Sequence, residues 1–234
     1  MRYPRRALIY FHGALMIDWS RVDTVLLDMD GTLLDLAFDN HFWLEALPAR
    51  VAERHGMVLP HAREHVFSLM REVEGRIEWY CLDYWQRLLD VDVVGLKREF
   101  THLIGFRPGA ERFLQAINRS GRRAVLVTNA HHGSLGLKLE HVPLASYLDA
   151  AFSSHDFGVS KEFPEFWDAV QGQDGFEPDR TVLLDDSHRV LMAARDWGVP
   201  QLYAIAQPDM RRPPLREAPF PLIQDLERAV PPQS

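Results

Sequence analysis

The sequence predicts an open α/β sheet with helices on both faces and a helical insertion behind its first strand. Three observations carry that expectation. Five short runs rich in β-branched and aliphatic residues end in polar side chains. The last four of these runs are separated by segments of helical period, the pattern of buried parallel strands joined by crossover helices. The stretch 36–106 shows helical period and no strand-like run. With 234 residues, 47% hydrophobic and 25% charged, the chain suffices for one large domain with a modest insertion, and wholesale disorder is excluded.

The elements follow in order. Arg2, Arg5 and Arg6 precede an apolar run from Ala7 to Ile17, broken by His12 and Gly13. The outline is that of a secretory signal, but no small-x-small site follows, and Asp18 and Arg21 come soon after. The run is shorter than the ~20 residues that span a bilayer. Residues 1–21 are therefore read as an extension, with Met16 as a plainer translation start. Strand 1 is expected over Val22–Asp28. Four helices follow: Asn40–His55, His61–Val73, Ile77–Leu89 and Val93–Leu103. In the third, Ile77, Tyr80, Tyr84, Trp85 and Leu88 recur at helical spacing. This insert, 36–106, reads as a helical cap with hinges near Leu36 and Phe106-Arg107-Pro108-Gly109. The core is then 22–35 together with 107–234.

The remaining strands are expected at Ala124–Asn129, Leu148–Ser153, Thr181–Asp186 and Gln201–Ile205. Helices are expected at Ser134–Leu144, Pro164–Gln171 and Ser187–Trp197, the last stopped by Gly198-Val199-Pro200. Seven of the 15 prolines lie after residue 207, so the end reads as an irregular wrap or loose tail.

Composition excludes several partners. The net charge is −7 and no basic block stands out, which argues against a nucleic-acid polymer. One cysteine, Cys81, precludes an intrachain disulfide and a thiolate zinc cluster, and suits a reducing compartment such as the cytoplasm.

The chemistry gathers at strand ends, where open α/β sheets bind ligands. Strand 1 ends Asp28-Met29-Asp30-Gly31-Thr32, strand 2 ends Val127-Thr128-Asn129, Lys161 follows strand 3, and strand 4 ends Asp185-Asp186-Ser187. Asp28 and Asp30, two apart, leave the strand on the same side. Four carboxylates on one rim repel unless a cation neutralises them. Oxygen ligands without His or Cys indicate a hard ion, of which Mg²⁺ is the usual one. Taken singly, an Asp beside a Gly is a turn residue, and Asp-Ser before a helix is an ordinary N-cap.

These four motifs, in this order from about Val22 to Ile205, resemble the signature of the haloacid dehalogenase (HAD) superfamily of phosphohydrolases. The resemblance implies a Rossmann-like parallel sheet, and the insert is similar to the cap of the β-phosphoglucomutase-like branch. The run from Val25 to Asn40, together with Trp79–Trp85 and Thr128-Asn129-Ala130-His131, resembles the bacterial GMP/IMP nucleotidases. It implies Asp28 as nucleophile, forming an aspartyl-phosphate, and Asp30 as general acid and base. Thr128 and Asn129 would hold phosphate oxygens, and Lys161 would balance their charge. Mg²⁺ would bind Asp28, the Asp30 carbonyl and Asp186, with Asp185 behind them. Where many relatives read Lys-Pro, this chain has Lys161-Glu162, which predicts a less rigid loop.

For the substrate the insert offers Trp79 and Tyr80 as faces for a purine base, although aromatics at helical spacing also pack bundle cores. Asp39, Asn40 and Trp43 sit just past the hinge; Asn40 or Asp83 could read purine edges, and Arg76 could contact phosphate or ribose. The implied substrate is a small phosphorylated metabolite, a purine 5′-mononucleotide. The alternative is a sugar phosphate or phosphoglycolate, acted on by a phosphatase or phosphomutase. A phospho-receiver domain also uses Asp, Thr and Lys on an α/β sheet. It differs in motif order, in length, and in having no insert.

Overall fold

The computed structural model describes residues 17–232. A proposed start at Met16 lies outside them. Six parallel strands form one sheet in the order β3-β2-β1-β4-β5-β6. They are β1 Thr24–Leu27, β2 Arg123–Thr128, β3 Ala150–Ser153, β4 Thr181–Asp185, β5 Gln201–Ile205 and β6 Leu222–Ile223. The chain goes from β1 out to β2 and β3, then returns past β1 to β4. This places the topological switch point between β1 and β4.

Alternation along the strands sorts the core into two layers. Val25 and Leu27 of β1 join Val182 and Leu184 of β4 on one face, against Phe113, Leu114 and Ile117. Leu26 and Leu183 turn to the other face, against Phe166, Trp167, Val170, Val190 and Leu191. The covering helices are α7 Ala110–Arg119 and α8 His132–His141, then α10 Pro164–Asp174 and α11 His188–Trp197, with the single turn α9 Ser154–Phe157 after β3. Ile17 and Trp19 are buried in the first layer, so residues 17–21 belong to the sheet unit and not to an extension.

The insert has its own core, with Phe42, Leu47, Val51, Val66, Trp85 and Leu96 at its centre. Its helices are α1 Ala37–His41, α2 Leu47–His55, α3 Leu59–Glu72, α4 Ile77–Tyr80, α5 Leu82–Leu89 and α6 Val93–Arg98. A π-helical turn, Phe42–Ala46, joins α1 to α2 just before Pro48. Proline has no N–H for the carbonyl four residues back, and the wider turn accommodates that loss.

Several boundaries differ from the sequence expectation. The helix expected over 77–89 is interrupted at Cys81, which is extended at φ −82°, ψ 107°. The helix expected to reach Leu103 ends at Arg98, followed by a 3-10 turn at Thr101–Leu103. The helix expected to reach Leu144 stops at His141, because Pro143 opens a 3-10 turn over Pro143–Tyr147. Helix α7 was not expected, although Phe113, Leu114 and Ile117 give it a clear apolar face.

The proline-rich end is not loose. It supplies β6 and a strap over the first hinge. Leu36 N–H donates to Pro208 O at 3.1 Å, and Met210 N–H to Asp35 Oδ1 at 3.2 Å. Arg211 reaches Ala37 O at 2.8 Å.

Candidate active site

The site begins with register. Leu27 lies opposite Leu126 on β2 and Leu184 on β4, so the three strands end level. Asp28 therefore emerges between Val127 and Asp185, and its N–H still donates to Leu184 O at 3.0 Å. The chain then turns tightly, with Leu33 and Leu34 N–H donating to Met29 O at 3.0 and 2.8 Å. Gly31 takes φ +85°, a left-handed value, and a Cβ there would stand 2.6 Å from Asp186 Oδ2. Arg107, buried at the second hinge, donates to Thr32 O at 3.1 Å and to Gln207 O at 2.7 Å, tying both hinges to this turn.

Lys161 is 2% exposed and its Nζ lies 2.6 Å from Asp28 Oδ1, 2.7 Å from Asp185 Oδ2 and 3.0 Å from Val127 O. Burial pulls its ammonium down, but Asp185 and Asp28 outweigh that and hold it above the ordinary lysine value. Burial pushes the Asp28 carboxyl up to about 6, with Lys161 opposing the shift and Asp185 adding to it. Asp186 is raised well above the carboxylate range, first by burial and then by Asp28 and Asp185. Asp185 is raised by burial against the pull of Lys161. Its Oδ1 also accepts from Ser187 N–H at 2.8 Å.

The donor set fits a hard divalent cation. Oxygens of Asp28, Asp185 and Asp186 lie within 4.8 Å of one another. Asp28 Oδ2 is buried without a hydrogen-bond partner among the described residues. One ammonium faces three crowded carboxylates, so charge balance calls for a cation, and all the donors are oxygens.

Thr128 is buried, and its Oγ1 accepts from Ala130 N–H at 3.0 Å. Asn129 braces the lysine loop: Oδ1 accepts from Lys161 N–H at 2.9 Å and Nδ2 donates to Glu162 Oε2 at 3.1 Å. Tyr80 of the insert donates to Glu162 Oε1 at 2.6 Å, and Trp167 Nε1 to Lys161 O at 2.9 Å. The expected looseness of Lys161-Glu162 is thus corrected. Side-chain hydrogen bonds to Glu162 hold the loop where a proline would.

Two residues carry no mark in the sequence: Lys138 and Lys97. Lys138 on α8 is buried, with Nζ 2.6 Å from Asp30 Oδ1 and 2.6 Å from Asp39 Oδ2. The Asp30 contact is charge to charge, outside hydrogen-bond angles. Lys97 on α6 donates to Asp39 Oδ1 at 2.7 Å. Burial pushes Asp30 up to about 6, with Lys138 opposing and Asp39 and Asp28 reinforcing. Burial also acts on Asp39, but Lys138 and Lys97 outweigh it and hold that carboxyl well below its usual range. The one signal was a lysine set among Leu135, Leu137 and Leu139 on a core-facing helix. Its partner lies 99 residues away.

The insert residues singled out for substrate divide. Tyr80 reaches the site rim through Glu162. Asn40 gives its amide to Asp209 at 2.8 Å. Trp43 packs edge-on to Phe42 and Trp85 with ring centroids at 4.9 and 6.0 Å. Trp79 lies against the insert's own core, and its carbonyl accepts from Trp85 Nε1 at 2.9 Å. Arg76 is exposed and paired with Glu78 at 2.8 Å. Asp83 is exposed, 3.7 Å from His131 Nε2.

The haloacid dehalogenase-like hydrolase family model matches residues 22–198. The GMP/IMP nucleotidase YrfG of Escherichia coli is 38% identical over 215 residues, 92% of this chain and 97% of that protein. A phosphorylated carbohydrates phosphatase of Thermotoga maritima is 24% identical, over 79% of this chain and 85% of its own. The crystal structure of a HAD phosphatase from Thermococcus onnurineus superposes with a TM-score of 0.73 at 22% identity, covering 88% of this chain and 94% of that one. Motif order, the level strand ends of β1, β2 and β4, and this family match agree: the chain belongs to the haloacid dehalogenase-like hydrolases.

Proposed function

We propose that the chain is a Mg²⁺-dependent phosphatase of purine 5′-mononucleotides, GMP and IMP, acting in the cytoplasm through an aspartyl-phosphate on Asp28. The observation that carries the chemistry is Asp30, two residues past Asp28, 2.6 Å from Lys138 Nζ, and pushed up to about 6 by burial against the pull of that lysine. An alkoxide leaving group needs a proton donor, and a carboxyl poised near 6 both gives and takes a proton at neutral pH. The substrate reading rests on the 38% identity to a GMP/IMP nucleotidase across nearly both chains.

In this mechanism Asp28 attacks phosphorus and Asp30 protonates the departing ribose oxygen. Asp30 then removes a proton from the water that hydrolyses the acyl phosphate. Lys161 holds the Asp28 carboxylate in position and balances the charge gathering on the phosphoryl oxygens. Thr128 and the Asn129 amide receive those oxygens. The side chains of Asp28 and Asp186 and the Asp30 carbonyl would hold Mg²⁺, with Asp185 bracing Lys161 behind them. Bound Mg²⁺ supplies the charge neutralisation that lets a phosphate dianion approach these carboxylates. The insert, 36–106, serves as a cap that excludes water when closed, with Tyr80 and Glu162 as its contact on the lysine loop.

A substrate panel tests the reading. GMP, IMP, AMP, glucose 6-phosphate, β-glucose 1-phosphate and phosphoglycolate are offered with Mg²⁺ and with EDTA. The expected result is metal-dependent phosphate release with the highest kcat/KM on GMP and IMP, lost in Asp28→Asn. Preference for a sugar phosphate would refute the nucleotidase assignment, and full turnover by Asp28→Asn would refute the mechanism.

A further inference from the structure

The seam between insert and sheet carries a second cluster of ligating side chains. Cys81 interrupts the helical run of the insert with an extended backbone, which separates α4 from α5. Across the seam, His131 follows β2 and His155 lies in α9. Ligand atoms of Cys81, His131 and His155 all fall within 4.8 Å of one another, and each residue is half-buried. The two imidazoles stand edge to face with centroids 4.8 Å apart. His155 Nε2 is buried with no hydrogen-bond partner among the described residues. A buried ring nitrogen without a partner is uncommon, and here it sits beside a thiol and a second imidazole. His132, the next ring along, is directed to Asp156 at 2.7 Å and is not counted in the set.

We propose that Cys81, His131 and His155 form a second metal site, for a borderline-soft divalent cation of the zinc class, that clasps the insert to the sheet unit. The donor set is the reverse of the carboxylate rim: one thiolate and two imidazoles, the ligands zinc prefers and magnesium declines. Tetrahedral bonds of zinc length place ligand atoms about 3.3–3.6 Å apart, so the observed cluster needs only side-chain adjustment to close on an ion. The fourth position is open to water or to Asp83, whose carboxylate lies 3.7 Å from His131 Nε2. Binding has one structural cost. His131 Nδ1 accepts from Gly133 N–H at 3.2 Å, and whichever ring nitrogen ligates, that amide loses its acceptor. A filled site ties residue 81 of the insert to residues 131 and 155, so the ion opposes the opening that substrate exchange requires. That consequence rests on the phosphatase reading; occupancy of the site does not.

The test is a Co²⁺ titration of the full chain in excess Mg²⁺, which keeps the carboxylate rim filled. The expected result is one equivalent bound with a near-ultraviolet thiolate-to-cobalt band and tetrahedral visible absorption, both displaced by Zn²⁺. Cys81→Ser should lose the thiolate band, and His155→Ala should bind at least tenfold more weakly, each checked for folding by its metal-free melting temperature. Absence of the band in the parent chain, or its retention at parental affinity in His155→Ala, overturns the site. In parallel, Zn²⁺ should inhibit p-nitrophenyl phosphate hydrolysis by the parent chain and spare Cys81→Ser. Equal inhibition of the two would place the inhibitory ion on the carboxylates and overturn the clasp. A parent chain that hydrolyses nothing defeats the phosphatase reading alone, since the spectral titration still decides the site.

Discussion

The Lys138 ammonium lies 2.6 Å from the Asp30 carboxylate, and on its other side it lies 2.6 Å from Asp39, the third residue of the insert's first helix. One buried lysine thus couples the proposed acid–base group to the start of the insert. Lys138 opposes the upward push of burial on Asp30. Removing it leaves Asp30 without its own cation beside Asp28 and Asp39, the latter still paired with Lys97, so the Asp30 pKa rises above its present value near 6. In the proposed mechanism, breakdown of the aspartyl-phosphate needs Asp30 ionised, so the acidic limb of the kcat profile should move to higher pH in Lys138→Met. Each unit of movement costs about tenfold in rate below the limb. Lys138→Arg should restore most of the profile. Steady-state rates across pH on one substrate check this, and an unmoved limb would show that Lys138 only packs.

A second consequence concerns stability. Asp28 and Asp30 stand near 6 in the fold, against roughly 3.9 for a free aspartate. Groups raised in the folded state bind protons more tightly there than in the unfolded chain. Their contribution to stability is fully present below the unfolded value and is lost as pH rises through the folded one. In EDTA the melting temperature should therefore decline between about pH 4 and pH 7. Saturating Mg²⁺ should offset the decline, and Asp28→Asn should flatten it. Melting curves in EDTA and in Mg²⁺ across that window measure all three.

What could be read in the sequence divides along the same line as local and non-local chemistry. Asp28, Asp30, Thr128, Asp185 and Asp186 each sit at a strand end or just past one, Lys161 follows β3 by way of α9, and parallel strands of similar length end level. Their convergence follows from pattern alone. Lys138, Lys97 and Glu162 carry no such signal, because each acquires its role from a hydrogen-bond partner on another element, 33 to 99 residues distant. Among these, Lys97 is paired with Asp39, 58 residues away. Cys81, His131 and His155 belong with the second group: no spacing in the chain announces them. The insert's aromatics were ambiguous for a physical reason. Trp85, at helical spacing from Ile77 and Leu88, fills the insert's own core with Trp43 packed against it, whereas Tyr80 reaches the sheet unit beside the break at Cys81.

That escape gives a prediction about closure. The hydroxyl of Tyr80 donates to Glu162 at 2.6 Å, next to Lys161, and forms a polar link between insert and lysine loop. A hydrogen bond to a charged acceptor is worth about 1.5–3 kcal/mol. Tyr80→Phe removes it while keeping the ring. If the link favours the closed insert, kcat/KM should fall about tenfold or more, and the melting temperature should fall by about 2–4 °C for each kcal/mol lost. Glu162→Gln, which still offers an acceptor, should lose less than Glu162→Ala. Kinetics of the three variants on the preferred phosphorylated substrate decide the matter.

The close approach of Gly31 to Asp186 yields the last prediction. Gly31 holds φ +85°, and an added Cβ would meet Asp186 Oδ2 at 2.6 Å, its Cγ at 2.8 Å and Pro208 Cβ at 3.0 Å. Gly31→Ala therefore carries two separate penalties. The left-handed backbone costs about 1–2 kcal/mol for any residue with a Cβ. The methyl also drives the Asp186 carboxylate off the position it shares with Asp28 and Asp185. The first penalty lowers the melting temperature in EDTA. The second weakens the cation itself, so the Mg²⁺-induced rise in melting temperature should shrink as well. Asp186→Asn separates the two. It relieves a carboxyl crowded by Asp28 and Asp185, so its metal-free melting temperature should rise, by about 2–4 °C for each kcal/mol released. Its Mg²⁺ response should nevertheless disappear. A Gly31→Ala protein that melts lower but responds to Mg²⁺ like the parent would mean that the carboxylate adjusts around the methyl and that the glycine serves the turn alone.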